Sequence, residues 1–177
     1  MDVFALNKRE IVLNYFLNHP TEVLHLRAFA RAVNVSFPWA RKVIMTLSKQ
    51  NLVIIEKKHG LILVQANREH PGFKTVKRSH NLLALYKSGI IEYLVEQFRQ
   101  PGVIVLFGSY SRGEDTEQSD IDIAVFTSKH PTLNLVKFEK KLGRTVAISE
   151  LLPATVKKEF WHTLANGIVL YGYLELA

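Results

Sequence analysis

The sequence predicts an α+β chain built in two parts, and three observations carry that expectation. Helical apolar spacing at the start gives way, in LVIIEKKHGLILVQA, to two β-rich apolar runs around His59-Gly60. A polar break containing Pro71-Gly72 follows, in NREHPGF from Asn67 to Phe73. Beyond it, a long helical stretch leads to the apolar runs VIVLF and IDIAV, joined through a Gly-Ser turn and a polar loop.

Taken in order, Ile11, Val12, Tyr15 and Phe16 recur at i and i+4 within Asp2 to Asn18, which predicts an amphipathic helix ending at His19-Pro20. A second helix is expected over Leu24 to Val33, with Thr21 as its N-cap and Glu22 early in its first turn. Asn34 tolerates left-handed geometry, and Ser36 can cap a third helix in which the early Pro38 costs no needed hydrogen bond. That helix places Trp39, Val43 and Leu47 on one side, leaves Arg41, Lys42 and Lys49 on others, and stops at Asn51. The hairpin then turns at His59-Gly60 with Lys57 and Lys58 at its basic tip. The boundary in NREHPGF divides the chain into residues 1–70 and 73–177.

The second part opens with a helical stretch from Lys74 to Gln100, interrupted at Ser88-Gly89. Its apolar stripe of Leu82, Leu85, Ile90, Tyr93, Leu94 and Phe98 is read as core. Pro101-Gly102 ends the helix, and Val103 to Phe107 is a short buried strand.

Composition narrows the function classes. Hydrophobic residues make up 47% of the 177 and charged residues 22%, which suits a folded chain and leaves no long disordered tail. No apolar run approaches a membrane span, and MDVFALNKRE lacks the layout of a signal peptide, so the expected location is cytoplasmic. The absence of cysteine removes disulfides, thiolate zinc sites and a cysteine nucleophile together. Seven histidines are scattered without metal-ligand spacing. The formal charge of +7 is uneven: residues 1–72 hold ten Lys/Arg against five Asp/Glu, whereas residues 81–177 hold ten against eleven. The basic excess of the first half suggests a polyanion partner there.

Chemistry concentrates in LFGSYSRGEDTEQSDIDIAV, Leu106 to Val125. Gly108 has no Cβ and lets backbone amides approach a ligand, while Ser109 adds a hydroxyl donor; both suit phosphate oxygens. A strand ending in such a turn ahead of a helix is an anion site. A Walker A loop would need Gly-Lys-Ser/Thr, which is absent, and a nucleophile elbow would need glycine where Ser109 stands. In Ser119 to Val125, Asp120 and Asp122 share one strand face, with Cα atoms roughly 6.6 Å apart. Two carboxylates on one rigid face can reach a pair of divalent ions held roughly 4 Å apart, the separation used for in-line phosphoryl chemistry. An EF-hand would need an acid or amide where Ala124 stands.

Two resemblances follow from these phrases. The order of helix, helix, turn, helix and hairpin, with FARAVNVSFPWARKVIMTLSKQNLV, resembles the winged helix-turn-helix family over roughly residues 3–67, with Ala30 at the small position where two helices cross. The resemblance implies DNA as partner, Arg41 and Lys42 facing the major groove, Lys57 and Lys58 contacting phosphates, and a homodimer on a two-fold site; a winged helix used for protein contact is the other reading. GSYSRGEDTEQSDIDIAV resembles the signature of the polymerase-beta-like nucleotidyltransferase superfamily, in its minimal branch, from about Val103 to the end, including NGIVLYG. That likeness implies a nucleotidyltransferase-like mixed β-sheet flanked by helices. It also implies a triphosphate held by Gly108 and Ser109, and two Mg²⁺ ions held by Asp120 and Asp122, which are then the catalytic pair. Arg112 resembles the family's arginine on the following helix, either structural or neutralising phosphate.

The family's third carboxylate falls, in EKKLGRTVAISELL, at Ala147. By strand parity Ala147 and Ser149 face the site and Glu150 faces away; Glu150 or Glu139 would need a shifted register to substitute. The resemblance therefore implies one of two functions. One is a Mg²⁺-dependent transferase moving a nucleoside monophosphate from an NTP, ATP, to a hydroxyl, on a HEPN-type or other partner protein in an antitoxin-like role. The other is a catalytically impaired, nucleotide-binding transcriptional regulator or partner platform.

Overall fold

The computed structural model describes residues 8–175, and the chain divides into two compact units, residues 1–76 and 77–177. Both combine helices with β-sheet, so the α+β class is what the chain adopts.

In the first unit, α1 (Lys8–Asn18) is followed by β1 (Val23–His25), α2 (Leu26–Ala32), α3 (Phe37–Lys49), β2 (Val53–Lys58) and β3 (Leu61–Ala66). The part of the first expected helix before Lys8 lies outside the described residues. The second helix begins later than its sequence pattern predicts. Val23–His25 is a strand on β3, with Leu24 opposite Val64, and the helix starts at Leu26 with His25, not Thr21, as its N-cap. The Nδ1 atom of His25 accepts the Ala28 N–H at 3.2 Å. A three-residue segment has no periodicity of its own, and the open edge of β3 decides it by offering ladder hydrogen bonds.

The remaining punctuation follows the residues. Asn34 and Asn51 take positive φ of 53° and 57°, and Ser36 stands at the N-cap of α3 without a side-chain cap bond. His59 (φ 49°) and Gly60 (φ 75°) are both left-handed, the pair of conformations a two-residue hairpin with the right-handed strand twist needs. The sheet order is β1-β3-β2, antiparallel throughout. Phe16 and Phe29 stack at 4.9 Å in its core beside Ala30, Val43, Ile44 and Leu47. Phe29 is fully buried, so its truncation to alanine would cost about 3–5 kcal/mol.

The second unit begins within α4 (Pro71–Ser88) and continues through α5 (Ile90–Gln97), β4 (Val103–Phe107), α6 (Gly108–Arg112), β5 (Ile121–Phe126), α7 (Val136–Leu142), β6 (Val146–Leu151), a 3-10 turn (Pro153–Thr155), α8 (Lys158–Ala165) and β7 (Ile168–Gly172). Gly89, at φ 78°, breaks the long helical stretch as expected. The sheet order is β6-β5-β4-β7; β4 is antiparallel to β5 and β7, and β5 is parallel to β6, a mixed sheet.

Strand parity sorts the two faces. Ile104, Leu106, Ile121, Ile123 and Val125 pack with Leu85, Leu94, Phe98 and Phe138. Val103, Val105, Ala124 and Phe126 pack with Leu164 of α8 and its neighbours Phe160 and Trp161. One member of the expected apolar stripe departs from it: Leu82 is exposed. The buried line of α4 instead runs through Lys77, Asn81, Leu85 and Ser88, at i+4, i+4 and i+3 spacing; the Ser88 hydroxyl donates to the Leu85 carbonyl at 2.7 Å, and the partners of Lys77 and Asn81 are described below.

Candidate phosphate and metal site

Strand β4 brings its C-terminal end and β5 its N-terminal end to one place. Antiparallel register sets Phe107 opposite Asp122, so Gly108 emerges beside the acid. Gly108 has φ +73°, and a Cβ built there would fall against the Asp122 carboxylate, 3.1 Å from its Cγ. Glycine alone meets both demands, the left-handed backbone and the space given to the acid. The turn is fastened from within: the Ser111 hydroxyl donates to the Gly108 carbonyl at 2.8 Å, and the Glu114 N–H to the Ser109 carbonyl at 3.0 Å. The helix expected after the turn is only five residues long. Its dipole is correspondingly small, and any hold on an anion rests on the backbone at Gly108 and the Ser109 hydroxyl.

Asp120 lies just ahead of β5 and is exposed; Asp122 lies within it and is half-buried. Asp120 lines a groove with Val136, Glu139 and Lys140 of α7, and Asp122 has the parity of Ala124 and Phe126 further along the strand. There α8 covers the sheet, with Phe160 edge-on to Phe107 at 5.3 Å and Trp161 stacked on Phe126 at 5.4 Å. Burial, and then the negative charge of Asp120, hold the Asp122 carboxyl above the usual carboxylate range. A bound cation would relieve both effects.

On the next strand, β6, Ala147 pairs with Asp122 and Ser149 with Ala124. Ala147, exposed, thus occupies the register position beside Asp122. Glu150 pairs with Val125, on the other parity, and its carboxylate bonds Nδ1 of His130. Glu139, on α7, accepts the Val146 N–H at 3.0 Å. Neither acid shifts register toward Asp122. Among the described residues no group of three or more His, Asp or Glu could hold a metal ion, and the acids beside the Gly108 turn are Asp120 and Asp122. Two acids with a glycine cradle beside them fit a cation whose other ligands come from phosphate and water.

Arg112 ends α6, and its Nε donates to Glu114 at 2.8 Å, with both side chains well exposed. An exposed pair of this kind contributes about 0–1 kcal/mol, little enough for the guanidinium to change partners. In the first unit Arg41 and Lys42 are exposed on α3, and Lys57 and Lys58 are exposed at the end of β2 beside the hairpin tip. Lys42 also lines a groove with Arg9, Leu13 and Trp39, against α1.

The sequence reading missed a buried polar cluster. Asp115, 1% exposed, meets the Lys77 ammonium at 3.0 Å and the Arg144 guanidinium at 3.1 Å. Asn81 donates to Asp115 at 2.7 Å and to the Tyr110 carbonyl at 2.9 Å. Burial pulls the Lys77 ammonium below its usual range while Asp115 opposes that pull. The signal was present: Lys77 and Asn81 lie in line with Leu85 on a helical stripe, where a solvated residue would not stand.

With this geometry in place, residues 87–167 match the family model described as the nucleotidyltransferase domain, a span that contains Gly108, Ser109, Arg112, Asp120, Asp122, Arg144 and Ala147. No curated protein matches the chain.

Proposed function

We propose, from the nucleotidyltransferase match over residues 87–167, that the second unit binds a magnesium–nucleoside triphosphate and transfers its nucleoside monophosphate to a hydroxyl group. The observation that carries this reading is Gly108 and Asp122 set side by side, a backbone cradle for phosphate against a carboxylate for a cation. Gly108 and Ser109 hold the phosphates; Asp120 and Asp122 hold the metal, two ions in the active form, and Arg112 exchanges Glu114 for a phosphate oxygen. Bound Mg²⁺ supplies positive charge for the triphosphate and its leaving group. The protein's own share is orientation: the antiparallel ladder fixes Asp122, and the turn fixes the phosphates beside it. ATP is the proposed donor, and the acceptor is a hydroxyl on a partner protein of the HEPN or another type.

A second reading is favoured by a specific observation, the pairing of Ala147 with Asp122. Without an acid there, no side chain on β6 is placed to draw the proton from the attacking hydroxyl, a role that contributes about 10²–10⁴ in rate. On this reading the unit binds Mg-nucleotide without rapid turnover, as the sensor of a transcriptional regulator or as an antitoxin-like partner. In both readings the first unit is a winged helix-turn-helix that contacts DNA in the cytoplasm through Arg41, Lys42, Lys57 and Lys58, as a homodimer on two half-sites. The order of its elements and the exposure of those four cations support this.

The deciding experiment incubates the protein with Mg²⁺, labelled ATP and candidate partner proteins, beside a variant carrying Asp120→Ala and Asp122→Ala. Transfer of label that the double variant abolishes establishes the enzyme. Nucleotide binding lost in the variant, with no transfer by either protein, excludes transfer to the partners tested and supports the binding form. Unchanged nucleotide binding in the variant refutes the site.

A further inference from the structure

The loop from Gly113 to Asp120 joins the phosphate turn to the acids, and it has no regular secondary structure of its own to set its path. It is closed from within, the Thr116 N–H donating to the Ser119 hydroxyl at 2.9 Å and the Ser119 N–H to the Thr116 carbonyl at 3.2 Å, and it is tied to the rest of the unit by side chains from outside it. Arg144, 8% exposed at its side chain, reaches in from the turn before β6; one Nη atom donates to the carbonyls of Thr116 and, at 3.3 Å, of Ser119. Ser119 is the residue immediately before Asp120. The other Nη atom meets Asp115 at 3.1 Å. Asp115 is in turn held by Lys77 and by Asn81, and Asn81 also holds the Tyr110 carbonyl on α6, inside the turn segment.

We propose that Arg144 is a positioning residue for the metal site: its guanidinium fork fixes the carbonyls ahead of Asp120 and, through Asp115 and Asn81, ties that loop to the helix of the phosphate turn. This rests on the reading of Asp120 and Asp122 as metal ligands. The chemistry calls for arginine. Two carbonyls and a carboxylate diverge around one planar group, a set of acceptors a lysine ammonium meets as a point charge without the fork. The consequence is that Asp120, exposed and outside the ladder, can still be presented at a fixed distance from Asp122, whose place is set by strand pairing. Outer partners of this kind typically govern metal affinity by about 10- to 100-fold.

The test uses Arg144→Lys in the full chain, which keeps a cation beside buried Asp115. A second variant, Lys77→Met with Asp115→Leu and Arg144→Met, replaces the whole buried ionic set by apolar side chains, an exchange that folds well in other cores. Folding is checked by circular dichroism. Two readouts follow: ATP affinity with Mg²⁺ against the same with EDTA, and amide exchange of residues 116–122 in the metal-free protein. The expected result in whichever variant folds is a 10- to 100-fold loss of the Mg²⁺-dependent gain in affinity, unchanged affinity in EDTA, and at least 10-fold faster exchange confined to 116–122. A folded variant with wild-type exchange at 116–122 overturns the proposal, as does one with the full Mg²⁺-dependent gain. A wild-type protein showing no Mg²⁺-dependent gain overturns the metal site itself, while the exchange measurement still reports whether Arg144 holds the loop.

Discussion

Gly108→Ala separates the cost of a backbone conformation from the cost of losing the site. Gly89 and Gly108 have nearly equal positive φ, 78° and 73°, but a Cβ at Gly89 would meet nothing within 4 Å, whereas at Gly108 it would meet Asp122. Each alanine carries the left-handed penalty, about 1–2 kcal/mol. At Gly108 the intruding methyl also drives the Asp122 carboxylate off its rotamer, about 0.5–1.5 kcal/mol more, because a carboxylate end can swing aside. The expected losses are therefore about 1–2 kcal/mol for Gly89→Ala and about 1.5–3.5 kcal/mol for Gly108→Ala, read by urea denaturation monitored in the second unit. Binding should diverge much further than stability. Gly89→Ala should keep Mg-ATP affinity within a factor of two or so, and Gly108→Ala should lose at least about tenfold, since the displaced carboxylate is the proposed metal ligand. Wild-type Mg-ATP affinity in a folded Gly108→Ala protein would refute the site, and equal stability losses would show that Asp122 does not press on the glycine.

Asp122→Asn should stabilise the metal-free protein at neutral pH and abolish its stabilisation by Mg²⁺. The sign follows from the raised pKa: folding disfavours the ionised carboxylate, so stability falls as pH rises from the unfolded carboxylate value through the higher folded one, and a melting series in EDTA from pH 4 to 7 should show that fall in wild type and less of it in the variant. Lys57→Ala and Lys58→Ala should each reduce the slope of log DNA affinity against log salt by about 1, across unrelated sequences, in a fluorescence anisotropy titration; an unchanged slope would remove the hairpin tip from the interface. Ala147→Asp places a carboxylate on the strand adjacent to Asp122, roughly 5 Å away between backbones. It should raise Mg²⁺ affinity and, in the labelled-ATP assay, nucleotidyl transfer; a variant with wild-type values for both would show that position 147 does not face the metal.

Much of this architecture was legible because it is written locally. Asn34, Asn51, His59-Gly60 and Gly89 mark breaks that depend on one or two residues' backbone preferences, and each stands where the chain turns. The glycine before the acids is likewise local: Gly108 takes the positive φ that its residue type permits, beside Asp122. What escaped depends on partners distant in sequence. Val23–His25 is a strand only because β3 offers it an edge. Lys77 can be buried because Asp115, 38 residues away by number, meets its ammonium. A lysine on an apolar stripe reads as an interruption until its counter-ion is found, and no spacing rule points to one.

The two functional readings make different demands on the same residues, and the difference lies in one strand. Binding needs the phosphates and the cation held together, a task both readings assign to Gly108, Ser109, Asp120 and Asp122 without an acid from β6. Turnover needs in addition that the incoming hydroxyl lose its proton as it attacks. On β6 the side chain beside Asp122 is a methyl group, and the nearest acids of that segment are engaged elsewhere, Glu150 with His130 and Glu139 with a backbone amide. An acceptor whose hydroxyl is already acidic, or that brings its own carboxylate into the open position beside Asp122, would need no such group. A simple alcohol would be left with water as its base and a rate lower by about 10²–10⁴. Nucleotidyl transfer by this protein should therefore depend steeply on the acceptor, because the missing group would act on the attacking hydroxyl as well as on the metal.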